Sequence, residues 1–474
     1  MSIEERTIHF TGIGGAGMSG LAEIVHRLGH AVSGSDARLS PVTARLAALG
    51  ISVVEGHAAT NLPVGARALV ITSAVRADNP ELLEARRRGL PVLLRGELLA
   101  ELMRTRRGVA IAGSHGKTTT SSILAAICLE AGLDPSVVIG GSVPAMGGAN
   151  ARLGGGNLLV CESDESDGSF LLLTPTHAAI TNIDREHLEH YGTFEAVQDA
   201  FVAFANRISW EGALAVCVDD PNVVAALPRI RRRVIGYGCA EAAQLRVIDS
   251  ITTASGISFR LEQDGRPLGA FAAPLLGRHN ILNATAAIAL ALELGIDGET
   301  IRTALASFRG PGRRMERKGA EAGVTVIDDY GHHPSEIRAT LQALRVAAAP
   351  GRLCVLFQPH RYTRTRALLD EFAGSFTEAA VVRVVDIYAA SEDPIAGVSS
   401  EALVEKIRAA GHPDARYAGS LTSAAELAAA EALPGDTVLT LGAGSITQAG
   451  ELVLGHLRSA DRGAGHQRKE TPVG

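Results

Sequence analysis

The stretch Val109–Ser122, VAIAGSHGKTTTSS, holds the residue types that a phosphate needs. Apolar Val109–Ala112 reads as a strand and Gly113-Ser114-His115-Gly116 as a turn. Lys117-Thr118-Thr119-Thr120 then opens a helix whose apolar positions are Ile123, Leu124, Ile127 and Leu129. Glycines let backbone N–H groups curl around an anion. The helix start adds unpaired N–H groups and a positive dipole end. Lys117 is a mobile cation for the β- and γ-phosphates, and Thr118 or Thr119 offers a hydroxyl to Mg²⁺. The full phosphate-loop pattern wants glycine where Ile111 stands, so this is the shortened form GxxGK[TS]. A plain glycine turn capping a helix is the non-binding alternative.

A second turn of this kind follows the strand Thr7–Thr11: Gly12-Ile13-Gly14-Gly15-Ala16-Gly17, then a helical pattern through Leu28, then a strand at Ala31–Ser33 with Asp36 at its end. Glycines for phosphate approach and an acidic residue about twenty positions later for a ribose are the layout of a dinucleotide site. The turn recognises a diphosphate, so NAD and a UDP-type nucleotide are equally physical, and a βαβ packing turn is the bland option. His57 and Ser73 fall just after strand-like runs, where open α/β sheets bind ligands; exposed turn residues would sit there too.

Glu162-Ser163-Asp164-Glu165-Ser166-Asp167 follows the strand Asn157–Cys161, four carboxylates in six residues. At the end of a buried strand they are costly unless cations compensate. Glu162, at the strand tip, is the favoured Mg²⁺ ligand; the cluster otherwise reads as a solvated loop. Asp184 and His187, three apart, could face one cation. Asn280 and Asn283, one turn apart at a helix start, cap it or read an adenine edge. Further on, Asp328-Asp329-Tyr330-Gly331-His332-His333-Pro334 and Gln358-Pro359-His360-Arg361-Tyr362-Thr363-Arg364 follow strands at Val324–Ile327 and Leu353–Phe357.

The elements that must position these groups alternate strand and helix. At 474 residues a single core is not expected. The pattern predicts an α/β protein of three domains. These are a Rossmann-like N-terminal domain (1–105), a central P-loop ATPase-like domain (106–310) and a C-terminal Rossmann-like domain (311–458). A disordered tail (459–474) follows. The joints are Arg104–Gly108 and the Gly-, Pro- and Arg-rich Phe308–Arg314. A net charge of −6 without long basic blocks argues against nucleic acid. Five scattered cysteines without a CxxC read as reduced thiols. No signal peptide and no run of about 20 apolar residues is seen, so the expectation is a cytoplasmic protein without membrane insertion.

One ATP-type loop, a separate diphosphate turn and a basic, His-rich third domain suit a ligase. Such an enzyme activates a carboxylate as an acyl phosphate and lets an amine attack it. Mg²⁺ and lysine neutralise phosphoryl charge, and arginines hold carboxylates. A kinase or simple ATPase leaves parts of the constellation unused. On GIGGAGMSG (12–20), SGSD (33–36), GSHGKTTT (113–120), ESDESD (162–167), TNIDREH (181–187), GRHNILNA (277–284), RRME (313–316), DDYGHHPSEI (328–337) and QPHRYTRTR (358–366), the chain resembles the Mur ligase family over all three domains.

That resemblance implies ATP-dependent addition of L-alanine to the lactyl carboxylate of UDP-N-acetylmuramate, in cytoplasmic peptidoglycan synthesis. It implies UDP-sugar binding by Gly14, Gly15, Ala16 and Gly17 with Asp36, His57 and Ser73, which decides against NAD. ATP falls to Gly113, Ser114, His115, Gly116, Lys117, Thr118 and Thr119, with Asn280 and Asn283 at adenine and Arg314 and Asp329 at phosphates and ribose. Thr118, Glu162 and His187 would hold Mg²⁺, two ions in all. Tyr330, His332, Arg361 and Arg364 would hold L-alanine. Lys117, Arg314 and His332, as a base for the amine, would be catalytic.

Several relatives use a carbamoylated lysine for the second Mg²⁺, but no lysine occurs between Thr181 and Trp210, so that ion must be held otherwise. The expected state is a monomer or weak homodimer, with hinges at Arg104–Gly108 and Gly310–Arg314. A recycling ligase that adds a preformed tripeptide is the nearest rival. An NAD-dependent oxidoreductase or a nucleotide-sensing protein leaves Lys117 and the acidic cluster unexplained.

Overall fold

A computed structural model describes residues 7–467 with residue 391 excepted. Strands β1 (Thr7–Thr11), β2 (Val32–Asp36), β3 (Ser52–Glu55), β4 (Ala66–Ile71) and β5 (Val92–Leu94) form a parallel sheet in the order β3-β2-β1-β4-β5. Helices α1 (Ala16–Arg27), α2 (Pro41–Ala48), α3 (Pro80–Arg87) and α4 (Arg95–Met103) complete it. The order reverses beside β1, so the tips of β1, β2 and β4 frame the crevice where such sheets take ligands.

The second sheet is built from β6 (Arg107–Ala112), β7 (Ser136–Val138), β8 (Ala151–Arg152), β9 (Leu158–Glu162), β10 (His177–Ile180), β11 (Leu214–Cys217), β12 (Val234–Gly238), β13 (Leu245–Thr253), β14 (Gly256–Gln263) and β15 (Arg266–Ala273). Its order is β15-β14-β13-β12-β11-β10-β6-β9-β7-β8. Val109, Ala110, Ile111 and Ala112 of β6 are completely buried, as a strand covered on both faces of a parallel sheet must be. β6 lies between β9 and β10, so its phosphate loop meets the acidic cluster on one side and the Thr181–His187 segment on the other. The third sheet has strands β16 (Glu316–Glu321), β17 (Val324–Asp329), β18 (Leu353–Phe357), β19 (Val381–Val385), β20 (Ala415–Gly419) and β21 (Thr437–Leu441) in the order β16-β17-β21-β18-β19-β20, parallel except for β16.

By packing, the chain divides into two compact units. One runs to Arg309 without segments 251–257 and 274–280; the other takes those segments and the chain from Gly310. The joint expected to hinge at Arg104–Gly108 therefore lies inside a single packed unit. Arg95 Nη2 donates to Asp164 Oδ2 at 2.9 Å and Ser73 Oγ to Asp167 Oδ2 at 3.3 Å. A Cβ on Gly20 would stand 2.7 Å from that of Ala151, and one on Gly96 2.5 Å from that of Ser169. The final helix, Thr447–Gln467, corrects the expected tail: residues 459–467 stay helical, because a helix anchored by buried Val453, Leu454 and Leu457 extends at little cost into polar sequence. Residues 468–474 lie outside the described part. β13 was not legible because most of its residues are exposed, which removes the apolar run.

Candidate active site

The helix α5 (Lys117–Glu130) starts at Gly116, which sits at φ +81, a left-handed conformation that suits glycine. A Cβ there would come 2.3 Å from Asn283 Oδ1, so Asn283 packs on the loop. The loop is braced by the tip of β10. Thr181 Oγ1 donates to His115 O at 2.6 Å, Asn182 Oδ1 accepts from His115 N at 2.8 Å, and Ser114 Oγ accepts from Asp184 N at 2.8 Å. His115 Nε2 is 2.9 Å from Asp184 Oδ2. Asp184 thus serves the loop, not the cation site it was expected to share with His187. Thr119 is buried in the first turn of α5.

Lys117 Nζ is folded back on its own loop, donating to Gly113 O at 2.6 Å, Ser114 O at 3.2 Å and Glu165 Oε1 at 2.7 Å. Burial works against its charge, yet Glu165, Asp164 and Glu162 outweigh burial and raise its pKa. Thr118 Oγ1 lies 3.1 Å from both oxygens of Glu162, whose Oε2 also accepts from Gly140 N at 2.9 Å. A hydroxyl facing a carboxylate at this range fits a small divalent cation that prefers oxygen ligands.

His187 stands next to a set that sequence reasoning missed. Its Nε2 is 3.5 Å from Glu165 Oε1 and 3.7 Å from Glu186 Oε2. One ligand atom from each of Glu165, Glu186 and His187 lies within 4.8 Å of the others. Glu165 Oε2 and Glu186 Oε1 are buried without a hydrogen-bond partner. Unpaired buried carboxylate oxygens are costly, and a divalent cation satisfies them. Burial opposes the His187 proton, but Glu165, Glu189 and Glu186 raise its pKa to about 9. Its φ of +58 is strained for a non-glycine residue and aims the ring from the start of the helix Leu188–Tyr191. The only sequence signal for Glu165 and Glu186 is their place in ESDESD and TNIDREH.

In the first sheet, Asp36 reaches the glycine turn and its Oδ2 accepts from Gly14 N at 2.8 Å. Gly15 caps α1, whose N-terminus includes Ala16 and Gly17. A Cβ on Gly17 would stand 2.9 Å from Arg95 Cδ. His57 Nδ1 meets Ser35 Oγ at 2.9 Å, and Ser73 Oγ is spent on Asp167. These residues therefore gather at the tips of β1, β2 and β4.

The second unit builds a different site. Asp329, at the end of β17, accepts from Met315 N and Gly331 N, each at 2.8 Å, and burial raises its pKa. Arg314 lies 5.0 Å over the Tyr330 ring and 3.6 Å from Glu336 Oε1. Arg313, not singled out from sequence, covers the ring at 4.9 Å and donates to Gly442 O at 2.6 Å. His332 Nδ1 is 3.2 Å from Tyr330 O and 3.3 Å from Glu336 Oε2. Both are acceptors, so Nδ1 carries the proton and Nε2 keeps a lone pair. Burial, with Arg364 and His360 adding to it, holds the His332 pKa well below its usual value despite Glu336. The ring is a hydrogen-bond acceptor more than a strong base. His360, another residue missed, sits 5.8 Å from the His332 ring, stacks on Tyr388 at 5.5 Å and meets Arg364 Nη1 at 3.2 Å. Arg361 starts the helix Tyr362–Ala367 at φ +70, its N donating to Tyr388 O at 2.8 Å. Asn280 turns its amide back to Leu276 O at 2.8 Å while Asn283 packs on Gly116, so each amide has a job of its own besides any shared face.

A nucleotide-phosphate loop with cation ligands, a diphosphate turn and an arginine-rich third sheet define an ATP-dependent ligase constellation, and the chain belongs to the Mur ligase family. Family models match in order: "Mur ligase family, catalytic domain" at residues 7–107, "Mur ligase middle domain" at 111–291 and "Mur ligase, glutamate ligase domain" at 313–444. Among curated relatives, the UDP-N-acetylmuramate–L-alanine ligase of Solibacter usitatus is 55% identical over 98% of both chains. That of Acidobacterium capsulatum is 49% identical over 97% of this chain and 99% of its own. The solved UDP-N-acetylmuramate–alanine ligase of Thermotoga maritima superposes with a TM-score of 0.83 at 27% identity, covering 96% of this chain and 99% of that one.

Proposed function

We propose that this chain joins L-alanine to the lactyl carboxylate of UDP-N-acetylmuramate at the expense of ATP, in the synthesis of peptidoglycan precursors. The geometric observation that carries the reaction class is the phosphate loop with Lys117, Thr118 and Glu162 in mutual reach. The near-full-length likeness to curated L-alanine ligases supports the substrates.

The lactyl carboxylate attacks the γ-phosphorus of ATP and ADP leaves. The amine of alanine then attacks the acyl carbon and phosphate leaves. Mg²⁺, when bound, would supply charge neutralisation to the phosphates. Thr118 and Glu162 suit one ion. Glu165, Glu186 and His187, with two unpartnered buried oxygens among them, suit a second and replace the carbamoylated lysine this chain lacks. Lys117, paired with Glu165 at 2.7 Å, brings its charge to the transferring phosphoryl group. Gly14, Gly15, Ala16 and Gly17 receive the UDP diphosphate on the α1 N-terminus, with Asp36 setting the turn and His57 and Ser73 beside the nucleotide sugar. Asn280 and Asn283 address adenine, and Arg314 and Asp329 the rest of ATP. Arg361 and Arg364 pair with the alanine carboxylate, and His332 Nε2 accepts from its amine. Among the described residues no helix is long and apolar enough to cross a membrane, and we place the reaction in the cytoplasm, on a monomer or weak homodimer.

The test is phosphate release from ATP, Mg²⁺ and UDP-N-acetylmuramate with L-alanine or with a tripeptide. Turnover with L-alanine alone supports the reading. Turnover with the tripeptide alone moves the chain to the recycling reaction.

A further inference from the structure

Beneath the crevice of the first sheet lies a carboxylate that the reaction above does not use. Glu81, in the first turn of α3, is completely buried. Its Oε2 accepts from Thr11 Oγ1 at 2.6 Å and Ser35 Oγ at 2.7 Å, and its Oε1 accepts from Asn61 Nδ2 at 2.8 Å. The same Asn61 amide donates to Gly56 O at 3.0 Å, fixing the loop that carries His57. His57 Nδ1 lies 2.9 Å from Ser35 Oγ and 3.8 Å from Glu81 Oε1. Burial alone would raise the Glu81 pKa, but His9, Thr11, Ser35 and Asn61 lower it to about 2. His9 Nε2 lies 3.6 Å from Glu81 Oε2.

An ionised carboxylate only accepts hydrogen bonds, and a serine hydroxyl has one proton. Ser35 spends that proton on Glu81, so towards His57 it can only accept. His57 must therefore carry a proton on Nδ1, and the neutral tautomer that meets this condition turns a lone pair on Nε2 outwards. Ser35 is fully buried, whereas the His57 side chain is 27% exposed, so His57 is where the network reaches a ligand.

We propose that Glu81 is a positioning residue that, acting through Ser35, holds His57 in the Nδ1–H form, so that this crevice selects a ligand presenting a hydrogen-bond donor to Nε2. The inference rests on the nucleotide-sugar reading of the crevice. In UDP-N-acetylmuramate the donors available are the uracil imide N–H, the ribose and muramate hydroxyls and the acetamido N–H; the diphosphate, an acceptor, is the wrong partner for Nε2.

The experiment is nitrogen NMR of the full chain labelled at histidine, free and with UDP, 3-methyl-UDP, 2′-deoxy-UDP or UDP-N-acetylmuramate. Free protein with the His57 proton on Nδ1 supports the relay, and a proton on Nε2 overturns it. UDP or UDP-N-acetylmuramate should shift the Nε2 resonance. Loss of that shift with 3-methyl-UDP names the imide as donor, and loss with 2′-deoxy-UDP names the hydroxyl. No response to UDP or to UDP-N-acetylmuramate overturns the nucleotide-sugar reading and the ligand half of the inference, while the tautomer result stands on its own. In Glu81→Gln the side-chain oxygen faces Asn61 and the NH₂ faces Ser35, which reverses the relay. The tautomer should switch and KM for the UDP-sugar rise about tenfold, with KM for ATP and kcat little changed. A Glu81→Gln protein with the wild-type tautomer and KM overturns the proposal.

Discussion

His187 in the first unit and His332 in the second have equally accessible side chains, 16% exposed each. They titrate in opposite directions. His187 is raised to about 9, whereas His332 is pushed well below the usual histidine value. Burial disfavours the proton in both. Carboxylates of Glu165, Glu189 and Glu186 reverse its effect at His187, while at His332 the one carboxylate, Glu336, is countered by Arg364 and His360 and burial prevails. The region that must meet polyphosphate stores positive charge against carboxylates. In the second unit the imidazoles are kept neutral, His279 and His360 included, both lowered to about 4, which suits the amine proposed to bind there. Burial alone therefore says little about a histidine; the sign of its neighbours decides.

Several experiments would break or sharpen this contrast. The largest effect is expected at the stored charge itself: Lys117→Ala should lower kcat by about a thousandfold or more, read as phosphate release. Retention of a tenth of the activity would remove Lys117 from the centre of the site.

The second is a pH contrast. Groups with depressed folded pKa values stabilise above the unfolded value near 6.5 and lose that contribution as pH falls towards 4. The helix Pro334–Ala348, which follows His332, should exchange faster as pH falls through that window. His187, raised in the fold, contributes fully below about 6.5 and loses its contribution as pH rises through about 9. The segment Leu188–Tyr191 should therefore loosen on the alkaline side. Hydrogen exchange corrected for intrinsic rates reads both; movement of the two segments in the same direction would erase the distinction.

Third, Glu186→Gln should weaken Mn²⁺ binding about ten- to a hundredfold by electron paramagnetic resonance, while ADP without metal binds as before. Unchanged Mn²⁺ affinity would leave Glu186 outside the cation set. Smallest, Arg364→Lys should raise KM for L-alanine about tenfold, because a point charge replaces a planar fork. A matching rise in KM for ATP would mean the arginine serves phosphate.

What was legible in the chain follows from contiguity. GSHGKTTT is turn and helix start within eight residues, directly after an apolar strand, and its backbone geometry is set by local steric rules. The pairing of Thr118 with Glu162 was accessible because one opens the helix after an apolar strand and the other ends another apolar strand. Glu81 was not, since nothing in DNPELLEA marks a charge that will be buried against Thr11, 70 residues away. Arg313 and Arg314 are neighbours in a basic run; only the left-handed turn at Arg313 shows that they cover the same tyrosine.

By itself the sequence determined which groups exist, which of them share a turn, and hence that three α/β sheets offer polar strand tips to phosphates and carboxylates. Strand order and packing decided the rest. Placing β6 between β9 and β10 brought Glu165, Glu186 and His187 within ligand distance of one another. Docking α3 against β4 and β5 brought Glu81 to Ser35. These pairings close loops of tens of residues. Their partners are chosen by burying both faces of each sheet and by the high cost of leaving a buried charge unmatched, and neither is encoded at any single position.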